Sequence, residues 1–163
     1  MDSGTMLTLQ SVQGKLFENS LKRGFASEQF INAFMRSRCA ADLDMEFNRL
    51  QWLGEEYIME ELIDEAGDKL IPGKQYSEDA LYWIGYIYRY WHFHTSESSK
   101  EIVKQASARD MAIAYPGMHT ENMDLAIEDL KLYARGKVYV PPEILAERGE
   151  RNSAPSLPLI RKR

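Results

Sequence analysis

Cysteine is almost absent from this sequence. Cys39 is the only one in 163 residues, so no disulfide closes within the chain and no zinc or iron–sulfur site can be built on cysteine spacing. That usage suits a reducing compartment and predicts a cytoplasmic protein. Long apolar runs are missing too. The nearest, residues 81–93, is interrupted by Arg89 and His92 and falls short of the roughly 18 apolar residues of a membrane span. The first residues carry neither a basic nor an apolar signal region, so no secretory leader is expected. A soluble chain with no membrane role follows.

Catalytic templates are equally scarce. There is no glycine-rich phosphate loop, no Gly-x-Ser-x-Gly and no His-Glu-x-x-His, each of which supplies a specific piece of chemistry at a fixed spacing. Only three histidines occur. His92 and His94 are two residues apart and so point to different faces of one helix, whereas helical metal pairs favour a spacing of four. His119 falls in a turn with only Glu121 close by. The reading is of structural or surface histidines, with no metal, no cofactor and no enzymatic role.

What is present is a foldable, unevenly charged chain. Hydrophobic residues make up 44% and aromatics 11%, enough for a packed core in one domain of this length. Net charge is -5, but residues 27–136 hold 20 acidic against 11 basic side chains, and residues 137–163 hold 3 against 6. An acidic body disfavours nucleic acid, whose phosphates require lysine and arginine. A basic protein partner suits it better.

The periodicity predicts an all-α fold, a compact bundle of five to six helices. Residues 1–26, punctuated by Gly14 and Gly24, read as an N-terminal arm, with a short strand or a short helix within it left open. The helical domain spans 27–136, and 137–163 read as a flexible C-terminal tail with a short extended piece at 138–140. A first helix is expected from the N-cap Ser27 to about Ala40, with Phe30, Ile31, Phe34 and Met35 as its apolar face. A longer one is expected over 42–66, closed by a left-handed Gly67. Its apolar arc is Trp52, Ile58, Met59, Leu62 and Ile63; Glu46, Arg49, Glu56, Glu60 and Asp64 form a mainly acidic stripe. The helix that Ser77 caps, with Tyr76 stapled onto Leu81, is apolar on nearly every side. It should therefore be central, with Gly85 admitting a close neighbour. Short helices are expected from Ser98 and from Ser107, the latter ending near Tyr115 before Pro116, and a last one over 122–134.

Three features carry functional hypotheses. The stripe of Glu46, Glu56, Glu60 and Asp64 could steer a basic partner, although a solvated helix face looks the same in sequence. In the tail, Leu157, Leu159 and Ile160 could anchor on a partner and order there, or contact nothing. Arg89, with Tyr82, Tyr86 and His92, suggests a polar pocket. The plainer account is a packed arginine whose charge an internal carboxylate satisfies.

A resemblance enters at Arg49-Leu50-Gln51-Trp52, Gly54-Glu55-Glu56-Tyr57-Ile58, Asp64-Glu65-Ala66-Gly67-Asp68-Lys69-Leu70, Tyr86-Ile87-Tyr88-Arg89-Tyr90-Trp91-His92 and Met118-His119-Thr120, before Leu125-Ala126-Ile127-Glu128-Asp129-Leu130. With these phrases the chain resembles, over about half its length, a family of small bacterial antitoxin-like proteins encoded beside ADP-ribosyltransferase-type toxins. The resemblance implies a cognate toxin protein as partner, bound so that its active site is occluded. It transfers no residue roles. The alternatives are a nucleic-acid-binding regulator, with positive patches at 15–23 and in the tail, and a small enzyme using the Arg89 surroundings.

Overall fold

The computed structural model describes residues 1–134, 136–139 and 159–161. Within them lie eight α-helices: α1 (Ser3–Asn19), α2 (Ser27–Met35), α3 (Arg38–Asp44), α4 (Glu55–Ala66), α5 (Glu78–Thr95), α6 (Ser99–Gln105), α7 (Ala108–Met118) and α8 (Met123–Ala134). Two 3-10 turns, Arg49–Trp52 and Gly67–Lys69, flank α4. The fold is an all-α bundle with an aromatic core. Beyond α8, β1 (Lys137–Tyr139) pairs antiparallel with β2 (Leu159–Arg161), Val138 opposite Ile160. That ribbon includes residues 138 and 139 of the extended piece expected at 138–140 and also joins residues 159–161 to it. The rest of the expected tail, 140–158 and 162–163 with Leu157, lies outside the described residues. No helix among the described residues is long and apolar enough to cross a membrane.

Helix α5 occupies the centre, as its all-round apolar character requires. Ser77 caps it by accepting from Ala80 N, and Leu81, Ile84, Ile87, Tyr88 and Trp91 are buried along it. The Tyr88 hydroxyl donates to Ala106 O at 2.6 Å, which lets the ring sit in the core. Gly85 is the point of closest approach: a Cβ there would lie 2.5 Å from Gln13 O and 2.9 Å from Phe17 Cγ. Phe17 meets Phe30 and Phe34 edge-on at 5.4 and 5.5 Å, the arrangement ring quadrupoles favour.

The neighbour at Gly85 is α1, so residues 1–26 are not an arm. Asp2 caps α1 by accepting from Thr5 N at 2.8 Å, and Leu9, Gln10, Gln13, Gly14, Leu16 and Phe17 are buried on it. Amides and a glycine thus occupy much of its inward face, allowing close backbone contact while diluting the apolar period that marks a buried helix.

Two expected helices are broken by side chains that compete for backbone hydrogen bonds. The first stops at Met35, and Ser37 caps α3 by accepting from Ala40 N at 3.1 Å. Its N-cap is Ala26. Ser27 instead accepts from Tyr76 N at 2.8 Å, while Ser27 N donates to Lys74 O at 2.9 Å, fastening the 70–76 link to α2. The expected 42–66 helix is interrupted from Met45, which is extended, to Gly54. Asn48 accepts from Leu50 N at 2.8 Å to start the 3-10 turn. Gln51 turns inward to Leu43 O at 3.3 Å. Trp52 is consequently outside the core, 72% exposed, while Ile58, Met59 and Leu62 are buried as their spacing predicts. Gly67 has φ -56°, so the chain leaves α4 through a right-handed 3-10 turn rather than a left-handed cap. Capping boxes at Ser98/Glu101 and Ser107/Asp110 start α6 and α7. Helix α7 passes through Pro116 to Met118; a proline in the final turn forfeits one backbone donor without ending the helix there.

Candidate partner-binding surface

Arg89 is 1% exposed and forms the centre of a polar network joining four helices. Its Nε donates to Gln13 Oε1 at 2.9 Å, one terminal nitrogen to Asp44 Oδ1 at 2.6 Å, and the other to Ser99 Oγ at 3.3 Å. Asp44 also accepts from Ser99 N and Ser99 Oγ, both at 2.8 Å. Gln13 Nε2 donates to Gly85 O at 3.0 Å. Burial lowers the guanidinium pKa and the Asp44 charge and hydrogen bond oppose that shift, so carboxylate and guanidinium sustain each other in an enclosed site.

The four residues suggested as a polar pocket separate into two groups. His92 Nδ1 lies 2.7 Å from Glu97 O and 3.6 Å from Asp44 Oδ1; both only accept, so Nδ1 carries a proton and the ring joins the Arg89 network. Tyr82 and Tyr86 stack on each other at 5.9 Å, and the Tyr82 hydroxyl is 3.4 Å from Ser11 Oγ. Arg89 lines none of the grooves described below. The arrangement ties helices together.

The other histidines are dispersed. His94 Nδ1 is 3.5 Å from Asp124 Oδ1, and His119 Nδ1 donates to Tyr115 O at 2.8 Å. Among the described residues no group of three or more His, Cys, Asp or Glu side chains is placed to hold a metal ion. Cys39 is buried, and burial, then Glu65 and its acidic neighbours, push the thiol pKa up to about 12. It is a poor nucleophile at neutral pH.

The acidic stripe is divided by the break at Met45. Glu46 lies before α4 and pairs with the Met1 amino group at 3.2 Å, and Glu60 pairs with Arg23 at 2.5 Å. Both are exposed pairs of small energetic weight. Glu56 and Asp64 are exposed and form no salt bridge among the described residues. Beside them stand side chains that sequence reasoning missed. Phe47 is 85% exposed and Met45 56%, with Trp52 and Tyr57 also open to solvent on the same stretch. Asn48 and Gly54 were the legible signals, a cap and a helix breaker inside the span read as one helix.

Next to this stretch a groove of about 450 Å3 opens between α3, the 3-10 turn and α4, with Asp42, Glu61, Asp64 and Glu65 on its walls beside Arg38 and Arg49. Glu65 is engaged, accepting from Arg38 N at 2.8 Å. A second groove of about 550 Å3 lies between α2, the 70–76 link and α7, where Ile71 and Ile113 are exposed near the Glu28–Arg109 pair. A third of about 260 Å3 includes Arg36 and Lys69.

Two carboxylates with buried, unpartnered oxygens give the fold a pH dependence. Asp129 is 1% exposed with Oδ2 unpaired, and Glu121 Oε2 is buried without a partner. Burial, then Glu128, raises Asp129 to about 6; burial, then Asp129, raises Glu121 to about 7. A raised carboxylate favours the fold most when protonated, so this contribution is complete below the unfolded pKa values and is lost as pH rises through 6 to 7. Urea titrations should show stability falling between pH 5 and 7.5. Asp129→Asn should raise stability at pH 7.5 by about 1–2 kcal/mol, removing the cost of a buried unsatisfied charge, and flatten the pH profile.

Comparison with protein-family models, with curated proteins and with solved structures finds no match for this chain.

Proposed function

We propose that this chain is an antitoxin-like binding protein that captures a cognate toxin enzyme and neutralises it by covering its active site. The observation that carries the reading is the stretch from Met45 to Tyr57, which holds Phe47 and Trp52 in solvent and leads directly into α4 with its exposed Glu56 and Asp64. Exposed aromatics cost solubility unless a partner covers them, and aromatics inside a polar rim are the usual energetic centre of an interface. An acidic field adds speed and selectivity for a basic surface. The resemblance seen in the sequence supplies the partner class, an ADP-ribosyltransferase-type toxin, and a cytoplasmic setting goes with it. Binding of nucleic acid is disfavoured by the same carboxylates.

The test is neutralisation in cells. Co-expression with the toxic product of the adjacent gene should restore growth, and Glu56→Lys with Asp64→Lys should abolish the rescue while thermal unfolding stays within about 1 kcal/mol of the parent, as for exposed positions. Full rescue by the charge-reversed chain would remove the acidic face from the mechanism. Absence of toxicity or rescue with the parent chain would overturn the reading.

A further inference from the structure

We infer that the Met45–Tyr57 stretch and the adjoining 450 Å3 groove form one docking surface for a cationic amphipathic segment of the partner, with its apolar side on Phe47 and Trp52 and an arginine or lysine in the groove. This rests on the binding reading above and specifies its chemistry. The apolar half is defined by exposure: Phe47 is 85% and Trp52 72% open, and their backbone is fixed by the Asn48 cap and by Gln51 turned inward, so the platform is preorganised. The charged half is defined by what its carboxylates lack. Asp42, Glu61 and Asp64 form no salt bridge among the described residues, and the groove sets four carboxylates, Asp42, Glu61, Asp64 and Glu65, against Arg38 and Arg49, so its charge is net negative even though Glu61 and Asp42 already act on Arg49. A cation entering there meets a net negative wall, and an anionic segment meets like charge. The groove lined by Ile71 and Ile113 has no such imbalance, since Glu28 and Arg109 pair across it at 3.6 Å.

The chain contains its own reporter. Of three tryptophans, Trp83 is 9% exposed and Trp91 fully buried, so quencher-accessible emission comes from Trp52. The probe is a tryptophan-free, 18-residue helix-forming peptide with leucine on one face and arginine on the other, compared with a leucine–glutamate counterpart. The full chain with the leucine–arginine peptide should show blue-shifted emission and at least a twofold loss of acrylamide quenching; the leucine–glutamate peptide should do neither. Phe47→Ala, and separately Glu61→Gln with Asp64→Asn, should weaken peptide affinity at least fivefold, while Ile113→Ala leaves it unchanged. Circular dichroism checks that each variant is folded.

Unchanged Trp52 quenching, or equal affinity for both peptides, would overturn the inference, as would binding indifferent to Phe47. Its failure is separable from that of the antitoxin reading. Rescue in cells that persists in Phe47→Ala with Trp52→Ala rejects this surface and keeps the antitoxin. Trp52 protection by the arginine peptide without any rescue keeps the surface and rejects the antitoxin.

Discussion

Asp44→Ala is expected to destabilise the protein by about 3–5 kcal/mol, the cost of leaving a buried cation without its counter-charge. Arg89 is 1% exposed and cannot reach solvent, and Asp44 supplies its 2.6 Å partner while also accepting from Ser99. Since domains are stable by only about 5–15 kcal/mol, the variant should unfold at much lower urea with an unchanged slope. Removing both charges together, as Arg89→Met with Asp44→Leu, should recover most of that loss, because apolar replacements for a buried pair are often neutral or better. If Asp44→Ala proves nearly neutral, Arg89 has access to water or another anion, and the network is not the enclosed tie described above.

Gly85→Ala is the second large effect, expected to cost about 1–3 kcal/mol or more despite the intrinsic gain of about 1 kcal/mol from replacing a helical glycine by alanine. The new methyl group would lie 2.5 Å from Gln13 O and 3.0 Å from Gln13 C. Those are backbone atoms of α1, so an entire helix has to shift, and with it the Gln13 amide that serves both Gly85 and Arg89. Gly14→Ala is the control. Its methyl group meets the Tyr82 ring at 2.8–2.9 Å, and a half-buried side chain can turn aside where a backbone cannot. Urea unfolding of the two variants should rank Gly85→Ala clearly below Gly14→Ala. Equal losses would mean that the α1–α5 contact is less rigid than the close approach implies.

The elements legible in the sequence were those whose signals agree across levels. Ser77, Ser98 and Ser107 cap helices as read, and the apolar circumference of α5 predicted its central position. The close approach at Gly85 followed from the same reasoning. Helix α1, 17 residues long, was legible only as one short alternative within an arm, because its buried face contains Gln10, Gln13 and Gly14, which break the apolar period. The break from Met45 to Gly54 was missed because Trp52, Ile58 and Leu62 fit one helical arc, and the arc outweighed the local signals of Asn48 and Gly54. That error concealed the exposed aromatics. The Arg89 site was half legible: a buried cation requires a carboxylate, but only the fold reveals that it is Asp44, the last residue of the short helix that Ser37 caps. Tyr82 and Tyr86 share a helix with Arg89 but turn to Ser11 and to each other, a difference that sequence spacing did not resolve.

The most direct measurement is co-purification. With the adjacent gene co-expressed and only this chain tagged, the proposed function predicts that a single neighbouring product elutes in equal amounts after a high-salt wash, because the proposed interface on Phe47 and Trp52 would be apolar at its core and salt would screen only its rim. The tagged chain eluting alone, from cells in which that neighbour is present and toxic, would contradict the account.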